Sequence, residues 1–334
     1  MSITREPTVY DVAKKAGVSI ATVSRVLNSP ELVKTETRQK VLSAIDELEF
    51  VPRADASARA RKLVGRIGIL TPFFTFPSFV QRMRGVATAL VNSPFELVIY
   101  PVDSSNRLDG YLAMLPITRR LDGLILMALP IDESIADRLL ASRLETVLIE
   151  VDHPAFTCIV IDDFHGGELA ADYLIKKGHR RAAFLGPGEL PDYSLHPEDK
   201  RLAGYRAVFD SAGFSLRDEY CRSTALTHPD VHNALALWMN LPEPPTAVFT
   251  ASDDLAIRLL RAAREHGFRV PDDLAIIGFD DIDMAEQIGL TTISQSLDES
   301  GRLAVELLLD RLEFPSRPVQ HIQLGLKLIE RETA

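Results

Sequence analysis

Short apolar runs recur along the chain from residue 66 onward, and this pattern constrains the fold most strongly. The runs lack strict alternation of apolar and polar residues, which is typical of strands buried on both faces of a parallel sheet. Helical stretches lie between most of them, and repeated strand–helix order predicts a doubly wound α/β architecture. About 270 residues of this pattern exceed one typical domain, so we expect two α/β subdomains. The runs are RIGIL, FELVIY, DGLILM, TVLIE, CIVID, RAAFLG, TAVFT and LAIIGF.

The first 50 residues have a different pattern, that of short helices with no strand between them. Thr8 and Ser19 are good N-caps for two helices, and Gly17 suits the tight turn between these helices. A third helix is predicted from Thr35. The spacing over residues 10–28 predicts a helix-turn-helix, although an αα-hairpin with no nucleic-acid role fits the spacing equally well. The outer positions of the second helix are small, hydroxylated or basic, which suits DNA.

The helical region is followed by a linker and differs in charge from the rest of the chain. The segment RADASARARK, residues 53–62, has no large apolar residue and cannot form a core of its own. Residues 1–62 carry a net charge of +3, whereas the remainder carries −13. An acidic body with a mildly basic N-terminal arm is typical of a protein that meets a polyanion only through that arm.

Several function classes are excluded or disfavoured. No apolar run approaches the ~18 residues of a membrane-spanning helix, and the first residues do not resemble a secretory signal, so we expect a cytoplasmic protein. The two cysteines are too few for a disulfide scaffold. His228 and His232 lie four residues apart but have no evident third ligand, so we expect no metal. We expect no cofactor, because phosphate-loop and dinucleotide-binding spacings are absent.

The string YDVAKKAGVSIATVSRVLN, residues 10–28, resembles the DNA-binding headpiece of the LacI/GalR family of bacterial transcription regulators. Further sequence segments that resemble this family occur along essentially the whole chain. The resemblance implies a headpiece over residues 1–51, a hinge over 52–63 and a periplasmic-binding-protein-like core over 64–334. It also implies three crossings between two subdomains, which we place near Asp162, Gly289 and Pro318. The first subdomain would then comprise about 64–161 and 290–317, and the second 162–289 and 318–334. The further segments that resemble the family are LEFVP, GHRRAAFLG, RLAGY, FTASDDLAI, RVPDDLAIIGFDD, LTTISQ and LIERE.

The resemblance also implies which residues contact DNA. Ile20 and Ala21 match the two principal base-reading positions, and Arg25 matches the family's base-contacting arginine. Because Ile20 and Ala21 are apolar, discrimination should depend on thymine methyl groups, Arg25 and DNA shape. Many relatives place a leucine wedge in the hinge where this chain has Arg59, which predicts weaker DNA bending and stronger salt dependence. The remaining expected contacts, mainly to the DNA backbone, are Thr8, Tyr10, Ser19, Thr22, Ser24, Asn28 and Thr37.

An effector cleft is likewise implied by the resemblance. Arg201 of RLAGY and Asp280 of GFDD match the family's cleft arginine and aspartate, a donor fork and an acceptor suited to sugar hydroxyls. Ser252, Asp253 and Glu150 match polar or acidic cleft positions. Phe73, Phe74 and Phe76 follow the first core strand and could face a pyranose ring, or could instead fill the subdomain core.

Together these features predict a dimeric repressor that binds a near-palindromic operator and responds to a small sugar-like effector. We expect a dimer rather than a tetramer, because no heptad tail follows LIERE. One alternative is a sugar-binding or transport component with the same core, which would need no headpiece. Another is an α/β enzyme, which would need a nucleophile, phosphate-loop or metal signature.

Overall fold

The computed structural model describes residues 7–28, 30–48, 50, 65–225 and 227–334. The expected hinge, including Arg59, lies outside the described residues. The N-terminal unit contains three helices, α1 (Val9–Ala16), α2 (Ile20–Asn28) and α3 (Thr35–Glu47), with a 3-10 turn at Pro30–Leu32. This unit is the predicted helix-turn-helix.

The ends of α1 and α2 are formed as the sequence indicates. The backbone N–H of Thr8 donates to Asp11 Oδ2 at 2.8 Å, and the Ser19 hydroxyl accepts from the N–H of Thr22 at 3.1 Å. Gly17 has a φ of 66°, the left-handed conformation that lets the chain turn sharply after α1. Val12, Val23, Val26 and further side chains form the core of this unit.

The rest of the described chain forms two subdomains, each built around one six-stranded sheet. The first sheet has the order β11-β5-β4-β3-β1-β2, and all its paired strands are parallel. The second has the order β12-β10-β9-β8-β6-β7, with β12 antiparallel to β10. The eight apolar runs all became strands, which confirms the predicted doubly wound architecture. The strands are β1 (Gly65–Pro72), β2 (Phe95–Val102), β3 (Gly123–Met127), β4 (Glu145–Ile149), β5 (Thr157–Val160), β6 (Ala182–Pro187), β7 (Cys221–Thr224), β8 (Ala247–Thr250), β9 (Ala275–Asp280), β10 (Thr291–Ser294), β11 (His321–Gln323) and β12 (Lys327–Ile329).

Helices cover the faces of both sheets, and each subdomain has one pair of helices in very close contact. In the first subdomain a Cβ added to Gly85 would lie 1.9 Å from the carbonyl oxygen of Asp298. In the second, a Cβ added to Gly167 would lie 1.9 Å from the carbonyl oxygen of Arg201. Glycine at these positions therefore lets the helix backbones touch. The helices of the first subdomain are α4 (Pro77–Leu90), α5 (Ser105–Thr118), α6 (Glu133–Ser142) and α12 (Leu297–Glu313); those of the second are α7 (Asp163–Lys176), α8 (Pro197–Ser211), α9 (His228–Met239), α10 (Asp253–Glu265) and α11 (Asp283–Gln287), with a 3-10 turn at Asp218–Tyr220.

The chain crosses between the subdomains later than expected at two of the three points. The first crossing follows β5, next to Asp162. The second was expected near Gly289, but β10 pairs with β9, so the crossing lies at residues 295–296. The third was expected near Pro318, but β11 pairs with β5, so it lies at residues 324–326. The expected limits of the subdomains are corrected accordingly, because backbone pairing of these short edge segments decides to which sheet each belongs.

Candidate DNA-binding surface and effector cleft

Helix α2 presents the expected base-reading residues on its outer face. Ile20, Ala21 and Arg25 are exposed, whereas Val23 and Val26 on the opposite face are fully buried against the other helices. Ser19 and Ser24 are also exposed, and Thr22 is half-buried. The helix therefore offers a small, partly apolar surface with one arginine, of the kind that fits a major groove.

The other expected DNA contacts lie on or beside α1, at the end of α2 and at the start of α3. Thr8 precedes α1, and Tyr10 on α1 is 67% exposed. Thr37 lies half-buried in the first turn of α3, and Asn28 is the last residue of α2. These assignments remain predictions, as does that of Arg59.

A cleft lies between the two subdomains, at the carboxyl ends of the parallel strands of both sheets. Open α/β sheets bind ligands at this edge. The cleft encloses about 930 Å³ of space, including its open mouth. Its lining residues lie at or after the ends of β1, β3, β4, β6, β8, β9 and β10 or on adjacent helices. They are Phe73, Phe76, Pro77, Ser78, Phe79, Arg82, Ala128, Glu150, Pro187, Leu190, Ser194, Leu195, Pro197, Glu198, Arg201, Ala251, Ser252, Asp254, Asp280, Ile282 and Gln295.

Arg201 is held firmly in the wall formed by the second subdomain. Its Nε donates to Asp163 Oδ1 at 2.8 Å, and Nη1 donates to the carbonyl oxygen of Ala251 at 2.6 Å. The guanidinium carbon lies 3.6 Å from the centroid of the Phe279 ring, a cation–π contact. Burial raises the pKa of Asp163 above its ordinary value, although the nearby Arg201 acts in the opposite direction. The guanidinium group is thus pre-oriented towards the cleft.

A second buried arginine, Arg82 of α4, lies in the wall formed by the first subdomain. Its Nη2 donates to Glu150 Oε1 at 2.6 Å and to Gln295 Oε1 at 3.2 Å, and its Nε donates to the Ser300 hydroxyl at 2.9 Å. The side chain of Glu150 is partly exposed to the cleft. Glu150 itself has a φ of 67°, a strained conformation for a non-glycine residue, at the point where β4 ends.

Asp280 completes a polar chain between the two walls. Its Oδ1 accepts from Gln295 Nε2 at 2.5 Å, so hydrogen bonds run from Glu150 through Arg82 and Gln295 to Asp280. Burial raises the pKa of Asp280 to about 7, although Arg201 and the Gln295 hydrogen bond act in the opposite direction. The carboxyl group is therefore poised between its neutral and charged forms near neutral pH.

Two residues expected in the cleft lie elsewhere. Asp253 is fully buried behind the cleft, where it accepts from the Thr292 hydroxyl at 2.6 Å and from the N–H of Ile282 at 2.9 Å. The expectation that Asp253 faces a ligand is corrected: its carboxylate ties α10 to β10 and to the segment that follows β9. Phe74 is exposed and does not line the cleft, because the chain turns away after Phe73.

The expected aromatic surface is shifted by a few residues. Phe73 and Phe76 line the cleft with ring centroids 5.2 Å apart, and Phe79, which was not predicted, lies 6.1 Å from Phe73. Ser252 lines the cleft and caps α10, and its neighbour Asp254 takes the place expected for Asp253. Asp254 directly follows Asp253 in the acidic first turn of α10, so the sequence held a signal for a carboxylate here but not for which one.

Two family models match the chain. The model described as bacterial regulatory proteins, lacI family, matches residues 8–53, and that described as a periplasmic binding protein-like domain matches residues 171–334. A headpiece joined to a two-subdomain binding core defines the class of DNA-binding regulators that carry their own ligand cleft. The chain belongs to the LacI family of bacterial regulatory proteins.

Individual relatives and solved structures are similar to this chain over nearly its whole length. The ribose operon repressor of Escherichia coli is 34% identical, covering 98% of this chain and 99% of its own, and the repressor PurR of Proteus mirabilis is 32% identical, covering 98% and 96%. The transcriptional regulator CelR–cellobiose complex is similar with a TM-score of 0.69 and 28% identity, covering 98% and 100%. The lac repressor dimer bound to operator and the anti-inducer ONPF has a TM-score of 0.68 and 26% identity, covering 98% and 99%.

One further property follows from the helices themselves. Among the described residues, no helix is both long and apolar enough to cross a membrane.

Proposed function

We propose that this chain is a sequence-specific DNA-binding repressor whose operator affinity is controlled by a small sugar-like effector bound between its two subdomains. The observation that carries the proposal is the presence, in one chain, of an exposed recognition helix and a cleft whose two walls meet through a buried polar chain. An effector changes DNA affinity only by its preference for one arrangement of the subdomains. The relatives that share both parts are repressors.

The charges of the cleft favour an uncharged, hydroxyl-rich effector. Arg82, Arg201 and Arg258 are already paired with Glu150, Asp163 and Asp254, and Glu198 adds a further carboxylate to the lining. A sugar phosphate or an acid would therefore meet guanidinium groups that already have carboxylate partners, whereas neutral hydroxyl groups can donate to the carboxylates and accept from the guanidinium groups. The phenylalanines at the mouth can cover the apolar face of a sugar ring. The similar CelR structure is a complex with cellobiose.

The DNA target should be a near-palindromic operator bound by a homodimer. A similar solved structure is that of a lac repressor dimer on its operator. Two recognition helices related by a two-fold axis would enter successive major grooves, so the half-site centres should lie about 10 bp, or a small multiple, apart. We further infer that the chain is not an enzyme.

Operator binding is tested by selecting duplexes from a random pool with the purified full-length protein. Arg25→Ala should weaken binding to the selected duplex by about 1–3 kcal/mol and leave binding to random DNA nearly unchanged. The control is Arg269→Ala, which removes an exposed arginine of the second subdomain. An equal loss on both kinds of DNA would identify Arg25 as a phosphate contact, and the failure of wild type to select any sequence would refute the proposed function.

Effector binding is tested by thermal shift with matched sugars and sugar phosphates, because a ligand of the folded state stabilises by mass action. Neutral sugars such as ribose and cellobiose should raise the melting temperature, and their phosphate esters should not. Arg201→Ala should abolish the shift, whereas Arg206→Ala, one turn or so further along α8, should not. Conversion of the sugar during incubation would favour the enzyme alternative.

A further inference from the structure

Helix α5 carries two apolar faces, and only one of them packs into the core of the first subdomain. Leu108, Leu112 and Leu115 pack into the core of the first subdomain. Met114 and Ile117 face a different cluster and are 7% and 9% exposed. We call these two side chains the outer stripe of α5. An apolar pair on the outer face of a helix needs a covering partner, because exposed large apolar side chains lose the free energy of burial.

The covering partner is the N-terminal helical unit of the same chain. The outer stripe belongs to one continuous cluster with Val26, Leu42 and Ile45 of that unit. The headpiece therefore shares its hydrophobic core with the first subdomain.

A polar contact lies beside the apolar one. Arg138 Nη2 of α6 lies 3.3 Å from Asp46 Oδ2 of α3, and both side chains are partly exposed. An exposed ion pair contributes little to affinity, but it restricts the orientation in which two surfaces meet. Asp46 and Arg138 thus fix α3 against α6 while the outer stripe holds the headpiece against α5.

The docked headpiece keeps its DNA-binding surface open. Ile20, Ala21 and Arg25 are exposed in this arrangement, on the side of α2 opposite to the buried Val23 and Val26. Docking and DNA binding therefore use different faces of the headpiece.

We propose that the outer stripe of α5, together with Arg138, is a docking surface for the headpiece of the same chain, and that it stays occupied when the recognition helix lies on DNA. A docked headpiece moves with the first subdomain as one body. A rotation of that subdomain then reorients the recognition helix directly, in addition to any effect through the linker.

Hydrogen exchange of the full-length protein without DNA tests the docking. The double variant Met114→Ser and Ile117→Ser should speed exchange of the α1–α3 amides about tenfold or more, because each buried apolar side chain contributes at least that factor to the docked state. Amides of the second subdomain should be unchanged. Leu140→Ser, which alters an exposed leucine of α6, is the matched control and should change neither region.

A charge-reversal pair keeps the test valid if the double variant disturbs α5. Arg138→Glu should speed headpiece exchange by repelling Asp46, and the added change Asp46→Arg should restore slow exchange. Unchanged headpiece exchange in both the stripe and the charge variants would overturn the proposal. Protection that falls on dilution would also overturn it, because the headpiece would then dock on a second copy.

The DNA-bound part of the proposal has its own measurement. The stripe variant should bind the wild-type-selected duplex about tenfold more weakly, because an undocked headpiece must be ordered on binding. Its melting temperature shift with ribose or cellobiose should match that of wild type. Equal affinity of wild type and variant for the duplex would refute docking on DNA. If wild type selects no duplex, the proposed function fails while the exchange result still decides the docking.

Discussion

Replacing Asp280 with asparagine should flatten the pH dependence of stability in the second subdomain. Burial raises the pKa of Asp280 to about 7. Because its pKa is raised, Asp280 binds its proton more tightly in the folded state than in the unfolded state. The resulting stabilisation is fully present below the pKa of the unfolded state and is lost as the pH rises through the folded-state pKa of about 7. Between about pH 4 and 7 this single group can contribute a slope of up to about 1.4 kcal/mol per pH unit. Asparagine keeps an oxygen that accepts from Gln295 and removes the titration.

The one tryptophan of the sequence, Trp238, is fully buried in the second subdomain and reports on its unfolding. Urea unfolding should be followed by its fluorescence at several pH values between 5 and 8. Wild type should lose stability as the pH rises from 5 to about 7, and Asp280→Asn should lose less over this range, by up to about 1 kcal/mol per pH unit. Asp163 and Asp253, whose pKa values burial also raises, remain in the variant and account for the residual slope.

The matched control is Asp218→Asn, because the Asp218 side chain in the same subdomain is 98% exposed. Its stability curve should stay parallel to that of wild type. Parallel curves for wild type and Asp280→Asn would refute the reasoning, since Asp280 would then bind protons equally in the folded and unfolded states.

Three further predictions concern other parts of the chain. Asp253→Ala should destabilise the second subdomain by about 2–5 kcal/mol in the same urea assay, because it leaves buried donors unpaired; a change below about 0.5 kcal/mol would contradict this. Arg84→Ala should weaken binding of a neutral sugar about two- to fivefold in calorimetry, because Arg84 of α4 donates to Asp283 of α11 across the cleft; undiminished affinity would show that this bridge does not favour the bound state. Arg59→Leu should reduce the salt dependence of affinity for the selected duplex and increase its bend in a gel assay; an unchanged salt slope and bend would remove Arg59 from the DNA interface.

The sequence predicts the central strands well because their residues are apolar without alternation. Such runs are buried on both faces, and neighbouring helices then determine a parallel arrangement. The strands without a clear signal in the sequence are edge or short segments with few apolar residues, such as β7 with the sequence CRST. The position of β10 shows the same limit. The segment LTTISQ, which contains β10, resembles the family, but only the pairing of β10 with β9 reveals that it belongs to the second sheet.

The cleft was predictable where a motif fixes a residue at a strand end, as for Asp280, the last residue of β9. It was less predictable on helices. Adjacent residues of a helix point about 100° apart, so Asp253 and Asp254 at the start of α10 have opposite roles, although both are acidic. Arg82 gave no signal, because an arginine within an amphipathic helix is usually exposed and this one is buried.

The polar chain through Gln295 links the proposed effector to both subdomains. Gln295 lies on the second crossing segment, between β10 and α12, and binds Arg82 of one subdomain and Asp280 of the other. A ligand hydroxyl that donates to Asp280 must share this carboxylate with Gln295 or displace its amide. Displacement frees Gln295 from Asp280, and its other hydrogen bond carries the change to Arg82 and Glu150 in the opposite wall. Because the first subdomain also holds the headpiece in the docking that we propose, a rearrangement in this wall would reach the recognition helix through packed residues.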